Sequence, residues 1–198
     1  MMKKIIVIDN IISKKEQEKL KEVLIFKSSE NSFNWFFTPD VSAIKNPHQS
    51  RPGFSHVFLN NGNINSKFYN LIQPIIDKTA KKIKIKVKGV IQARSFLQLP
   101  LRKEFTGDGV DTPHLDRTTP HLVFLYYVLD SDGDTIIYNY KSKNEDDIPY
   151  FEDIKELKRI KPKQGRVVIF DGLYWHTAEQ PTKDIRCIIN FNISNNGT

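Results

Sequence analysis

Hydrophobic and polar positions alternate along this chain in two rhythms, one close to 3.6 residues near the start and one of two residues later on. Ile5-Ile6-Val7-Ile8 is a short apolar run closed by Asp9-Asn10 and reads as a first strand, too brief for the apolar core of a signal peptide. Ser13-Lys14-Lys15-Glu16 has the form of a capping box. A helix is predicted from there to about Phe26, with Leu20, Val23, Leu24 and Ile12 on its buried side. Phe33, Trp35 and Phe37 are spaced to share one strand face, as core residues in the plainer reading and as pocket lining for Trp35 in the sharper one. Residues 38–52 carry Pro39, Pro47 and Pro52 without any periodicity and read as a long loop, a lid candidate. A second candidate is the loop 100–111, with Gly107 and Gly109.

Residues 54–59 alternate as a strand and end in the turn Asn60-Asn61-Gly62-Asn63. Asn65 or Ser66 is expected to cap a second helix reaching about Lys81, interrupted or kinked at Pro74. Lys82, Lys84, Lys86 and Lys88 then alternate with Ile83, Ile85 and Val87, which predicts a half-buried strand running on to Leu99, or two strands joined near Gly89. From residue 121 the pattern is strands throughout: 121–129, 135–140, 157–161, 167–170, 174–178 and 185–193, with a turn at 131–134 and a charged loop at 141–153. Short strands at regular spacing argue for a sandwich or barrel. The expected class is mainly β with flanking α-helices, a double-sheet jelly roll.

A length of 198 residues suits one domain, 1–198, with helical and strand support over about 1–99 and a jelly-roll core over about 83–198. The single cysteine, Cys187, excludes an internal disulfide, and no Cys/His cluster suggests structural zinc. A soluble cytoplasmic protein is expected, in a host cytoplasm if phage-encoded. No stretch approaches the ~20 apolar residues of a membrane span. The net charge of +7 raises a polyanionic partner, but the alternating lysines fit a solvated face better, so nucleic acid is not the expected partner.

The chemistry gathers at Thr112-Pro113-His114-Leu115-Asp116. On an extended strand His-x-Asp points one imidazole and one carboxylate to the same side. Alone, such a pair is a weak signal, more often a satisfied surface or core pair than a metal site. A second imidazole comes from His176, after the apolar run 167–170 and the turn at Asp171-Gly172. Two histidines and a carboxylate fill one face of an octahedral metal and leave its other positions open. Arg186, ten residues on, heads an apolar strand and offers a fork of donors for a carboxylate. His56 and His121 compete as ligands, and His121 has no carboxylate at strand spacing.

Thr112-Pro113-His114-Leu115-Asp116, Tyr126-Tyr127-Val128-Leu129, Gly133-Asp134-Thr135 and Val168-Ile169-Phe170-Asp171-Gly172 leading to His176 and Arg186 resemble the 2-oxoglutarate and Fe(II)-dependent oxygenases. The similarity is greatest to small prolyl-4-hydroxylase-like proteins of bacteriophages and marine bacteria, and it covers nearly the whole chain. Asp132 and Leu129 depart from the prolyl hydroxylase pattern, which often has glycine and asparagine there. The resemblance implies a cupin-like double-stranded β-helix holding iron through His114, Asp116 and His176, with the 5-carboxylate of 2-oxoglutarate on Arg186 and the hydroxyl of Tyr127. It implies O2 as co-substrate, leaves room for ascorbate, and gives succinate, carbon dioxide and a hydroxylated product. By the same resemblance Arg94 stands where related enzymes often carry a conformationally important or substrate-facing arginine, with a surface ion pair as the plainer reading.

A peptide or protein hydroxylase is the expected activity, and the oligomeric state stays open. The alternatives are an AlkB-like nucleic-acid demethylase, a small-metabolite or amino-acid hydroxylase, and a metal-binding jelly-roll module without catalysis. Those demethylases carry polar and basic residues soon after the arginine, where this chain has Cys187, Ile188 and Ile189.

Overall fold

The apolar run forms β1 (Ile6–Ile8), and the helix that follows, α1 (Lys14–Ile25), begins at the capping box. Ser13 Oγ accepts from the Glu16 N–H at 3.3 Å, and the Ser13 N–H donates to Glu16 Oε2 at 2.7 Å. Ile12, Leu20 and Leu24 are buried and Val23 partly so, as the helical period predicts. The computed structural model describes residues 4–26, 33–41, 51–102, 104, 109–144, 147–150 and 152–194. Most of the predicted loop 38–52 and part of the loop 100–111 lie outside them.

The aromatic segment does not form one strand face. Phe33 and Trp35 precede β2 (Phe36–Thr38) and pack on each other with ring centroids 5.0 Å apart, while Phe36 and Phe37 are both exposed. Trp35 turns to α1 because its indole N–H donates to the Leu24 carbonyl at 2.9 Å, one of the last-turn carbonyls that no helical N–H reaches. Next come β3 (Gly53–Asn60), β4 (Asn63–Ile64) and α2 (Tyr69–Ile83). Neither predicted residue is the N-cap. Phe68 takes that position, and Ser66 accepts from the Phe68 N–H at 3.2 Å from just outside. Pro74 sits inside α2 without ending it.

The lysine alternation also resolves differently from its reading as a strand. The stripe Ile72, Ile75, Ile76 and Ala80 continues to Ile83 at helical spacing, so α2 absorbs the start of the run and ends at Lys84 in the left-handed region, φ 58°. Ile83, Ile85 and Val87 still pack against the core and the four lysines stay exposed, but β5 (Gly89–Gln98) begins only at Gly89.

The remaining strands are β6 (Leu122–Tyr127), β7 (Thr135–Lys141), β8 (Glu156–Ile160), β9 (Val167–Asp171), β10 (Tyr174–Ala178) and β11 (Arg186–Ser194). The larger sheet runs β1-β9-β6-β11-β5-β3-β2 with β4 on β3, and the smaller runs β10-β7-β8. All pairings are antiparallel, as a jelly roll requires. Strand alternation sorts the larger sheet into two faces. Phe124, Tyr126, Ile169 and Phe191 meet the helices, whereas Val123, Leu125, Tyr127, Phe170 and Ile188 meet Ile137 and Ile160 of the smaller sheet. The inter-sheet layer is where the site lies. Among the described residues no helix is long and apolar enough to cross a membrane.

Candidate functional site

Three rungs on the inner face of β5 and β11 set out the site. Arg94 lies opposite Asn190, Phe96 opposite Ile188, and Gln98 opposite Arg186. Directly opposed residues project to the same face, so the three pairs form a ladder with polar ends and an apolar middle. At a rise of ~3.3 Å per residue the polar rungs stand about 13 Å apart.

At the first rung His114, Asp116 and His176 come together, with one donor atom from each within 4.8 Å of the others. The segment 114–116 is not the predicted strand. A single antiparallel bridge holds it, in which the His114 N–H donates to the His176 carbonyl at 2.9 Å and the His176 N–H returns the bond at 3.1 Å. Pro113 cannot donate to a ladder, which limits pairing here. His114 Nδ1 is 3.0 Å from the Thr112 carbonyl and His176 Nδ1 is 3.0 Å from the Tyr174 carbonyl. A carbonyl only accepts, so each Nδ1 carries the proton and each Nε2 keeps its lone pair. His176 Nε2 is 3.8 Å from Asp116 Oδ2. Two bare imidazole nitrogens and a carboxylate are a donor set suited to a divalent transition metal.

The charges favour the ligand forms. Burial lowers the His176 imidazole to about 4, with His114 adding to the effect and Asp116 opposing it. Burial alone would raise the Asp116 carboxyl. The imidazoles of His176 and His114, the Asn190 amide and Arg94 outweigh it and bring the carboxyl below its ordinary value. Asn190 Nδ2 donates to Asp116 Oδ2 at 2.8 Å, and Arg94 Nη2 lies 3.4 Å from Oδ1. Arg94 is therefore part of this site rather than half of a surface ion pair, its guanidinium over the Phe96 ring at 5.2 Å.

At the far rung Arg186 is 4% exposed and fixed by three acceptors. Its Nε donates to the Gly133 carbonyl at 2.9 Å, Nη1 to Gln98 Oε1 at 3.0 Å and Nη2 to Thr135 Oγ1 at 2.9 Å. Gly133 has no room for a side chain, since a Cβ there would sit 2.6 Å from the Glu179 carbonyl oxygen. Tyr127 donates to the same Thr135 hydroxyl at 2.8 Å, and burial pushes its own hydroxyl up to about 12, so it stays protonated. Arg186 and Tyr127 thus converge on Thr135, while Tyr126 points into the other core. Below them Asp111 pairs with Arg51 at 2.5 Å and accepts from Gln98 Nε2 at 3.2 Å.

Two further histidines among the described residues, His56 and His121, stand apart from this cluster. His56 uses both ring nitrogens, Nδ1 toward the Asn34 carbonyl at 2.7 Å and Nε2 with Ser66 Oγ at 2.8 Å. The His121 ring lies on Gly172, where any Cβ would come within 2.1 Å of it. Sequence reasoning missed Asn190, Thr135, Gln98, Asp111 and Arg51. For Gln98 and Asn190 the one local signal is that each is a polar residue four positions from an arginine on the same strand face.

No protein-family model matches this sequence, and no curated protein does. Solved structures match over 96% of the chain. A Trichoplax adhaerens prolyl hydroxylase, solved with a hypoxia-inducible factor oxygen degradation domain peptide, is 14% identical, with a TM-score of 0.59 and 82% of its own chain covered. The viral collagen prolyl hydroxylase of Paramecium bursaria Chlorella virus-1, solved as a 2-oxoglutarate complex, is 16% identical, with a TM-score of 0.54 and 94% covered. A Burkholderia pseudomallei oxidoreductase of the 2OG-Fe(II) oxygenase family is 8% identical, with a TM-score of 0.63 and 85% covered. At such identities the correspondence is one of fold, and the fold is the jelly roll of these oxygenases.

Proposed function

We propose that this protein is a 2-oxoglutarate and Fe(II)-dependent dioxygenase that hydroxylates a proline or another residue of a peptide or protein. The observation that carries the reading is the pair of histidines whose Nδ1–H groups are tied to backbone carbonyls, with His176 Nε2 3.8 Å from Asp116 Oδ2 and one donor atom of each of the three residues within 4.8 Å of the others. In this reading His114, Asp116 and His176 hold the iron, and Arg186, with the hydroxyls of Tyr127 and Thr135, holds the 5-carboxylate of 2-oxoglutarate. The roughly 13 Å between the polar rungs leaves room for a five-carbon diacid lying over Phe96 and Ile188. Bound together, iron, 2-oxoglutarate and O2 supply oxidative decarboxylation to succinate and carbon dioxide and insertion of one oxygen atom into a C–H bond.

The chain's own contribution is placement and shielding. Asn190 and Arg94 orient the Asp116 carboxylate. Arg186, held by three bonds before any ligand arrives, presents a fixed cation to the diacid. Phe96, Ile188 and the surrounding inter-sheet residues exclude water between the two ends. His114 is exposed, so the metal end opens to solvent and a substrate can reach it.

A peptide substrate is supported by the fold relatives, two of which are prolyl hydroxylases and one of which holds a peptide. The test is succinate formation by purified protein with Fe(II), 2-oxoglutarate and ascorbate, first alone and then with proline-rich peptides. The expected result is metal-dependent succinate, stimulated by a peptide that gains the mass of one oxygen atom. Stimulation by methylated single-stranded DNA with release of formaldehyde would replace the peptide reading. Absence of any metal-dependent succinate would remove the enzyme reading.

A further inference from the structure

At the closed end of the site two guanidiniums and one carboxylate lie together out of water: Arg51 is 1% exposed, Asp111 6% and Arg186 4%. A buried carboxylate near two arginines is attracted to both, and Asp111 and Arg186 do act on each other electrostatically. Yet Asp111 pairs with Arg51, at 2.5 Å, and not with Arg186. Between Asp111 and Arg186 stands the side-chain amide of Gln98, its Oε1 accepting from Arg186 Nη1 and its Nε2 donating to Asp111 Oδ2. Only this orientation of the amide satisfies both neighbours. Turning it over would set an NH2 against a guanidinium and an oxygen against a carboxylate.

Resting on the reading of Arg186 as the anchor of the 5-carboxylate, we propose that Arg51 and Gln98 are positioning residues that keep Asp111 from neutralising Arg186. Arg186 has spent three of its five N–H groups on Gly133, Gln98 and Thr135, which leaves one on each terminal nitrogen for that ligand. The backbone fixes Asp111 where it needs such restraint. Its N–H donates to the Ala178 carbonyl at 2.8 Å and its carbonyl accepts from Thr177 Oγ1 at 2.5 Å, both on the strand that carries His176. Burial raises the Asp111 carboxyl above its ordinary value, and the Arg51 guanidinium, paired with it at 2.5 Å, works against that rise. Arg51 is itself anchored through its backbone, its N–H donating to Asp40 Oδ1 at 3.1 Å and its carbonyl accepting from the Val41 N–H at 2.8 Å.

The test is calorimetric titration of 2-oxoglutarate into Mn(II)-loaded protein without oxygen, beside thermal unfolding of each variant. Arg51→Gln frees Asp111 to compete for Arg186 and should weaken 2-oxoglutarate about tenfold to a hundredfold, the loss of one charge-assisted contact. Gln98→Glu, which puts a carboxylate directly on Arg186, should weaken it likewise. Asp111→Asn should bind at least as tightly as wild type even where its unfolding temperature falls, and Arg51→Gln/Asp111→Asn should recover the affinity that Arg51→Gln loses. The inference is overturned if folded Asp111→Asn loses affinity, or if Arg51→Gln keeps the wild-type value. Wild-type protein that takes up Mn(II) but no 2-oxoglutarate would instead overturn the assignment of Arg186, and this inference with it.

Discussion

Arg94 and Asn190 face each other across the β5–β11 ladder and divide the Asp116 carboxylate between them, Asn190 on Oδ2 at 2.8 Å and Arg94 near Oδ1 at 3.4 Å. Asp116 stands in no ladder of its own, so its direction is set by side chains from strands that do. Asn190 is the shorter contact, and its strand is paired on both sides. Replacing it with leucine keeps the volume and removes the donor. Metal affinity should fall ten- to a hundredfold, the usual effect of losing a partner of a metal-binding carboxylate. Mn(II) titration of Asn190→Leu checks this, and an unchanged affinity would show that Asp116 orients itself.

The buried His176 makes the metal-free protein sensitive to mild acid. Its imidazole titrates near 4 in the folded chain because burial disfavours the charged form, against about 6.5 when unfolded. Between those values the unfolded chain holds a proton that the folded chain refuses. Stability therefore falls as the pH drops from about 6.5 to about 4, by on the order of 3 kcal/mol in all. Urea unfolding of metal-free protein at pH 7 and pH 4.5 should show the loss, and His176→Leu should show less of it. An equal loss in the variant would place the pH dependence on other groups.

The grouping of His114, Asp116 and His176, and Arg186 as the proposed anchor, could be picked out as candidates in the sequence because each stands beside a local signal: His-x-Asp spacing, a turn after an apolar run, an arginine heading a strand. Tyr127 was separable from Tyr126 by alternation alone. Asn190 and Gln98 were not legible, since what gives them their neighbours is the register of β5 and β11, and Asp111 and Arg51 meet from outside the strands, 60 residues apart in the chain. Gln98 meets Arg186 only because β5 and β11 pair in one register, and a slip of one residue would turn both away. Residues 82–88 misled for the opposite reason. Period-two burial survives there without a ladder, because a helix end and an extended connection expose the same alternate residues.

Asp132 departs from the glycine common in prolyl hydroxylases, and the structure gives it a task. Its carboxylate accepts from the N–H groups of Thr182, Lys183 and Asp184 and from Thr182 Oγ1, which pins the turn leading into Arg186. Burial alone would raise this carboxyl, but the bonds from Asp184, Thr182 and Lys183 hold it at about 2. Its stabilisation is complete above about 4 and is lost as the pH falls through about 2. Asp132→Ala should cost about 2 kcal/mol at neutral pH, the scale of hydrogen bonds to a charged group. Chemical unfolding at pH 7 measures it, and a loss below about half a kcal/mol, ordinary for a surface change, would mean that the turn holds without the carboxylate.

Arg186 separates the two ends of the site experimentally. It lies about 13 Å along the ladder from the rung that holds Asp116, so its removal should leave metal binding almost intact. Arg186→Ala should weaken 2-oxoglutarate by about 1.5–3 kcal/mol, the value of a charge-assisted contact. Lysine should recover only part of this. It restores the charge but cannot donate at once to Gly133, Gln98 and Thr135, so its ammonium would be drawn to one acceptor and away from the ligand. Parallel titrations of Mn(II) and of 2-oxoglutarate into both variants decide the matter. Unchanged 2-oxoglutarate affinity in Arg186→Ala would move the 5-carboxylate elsewhere, and Arg94, the other cation on this face of the ladder, would be replaced next.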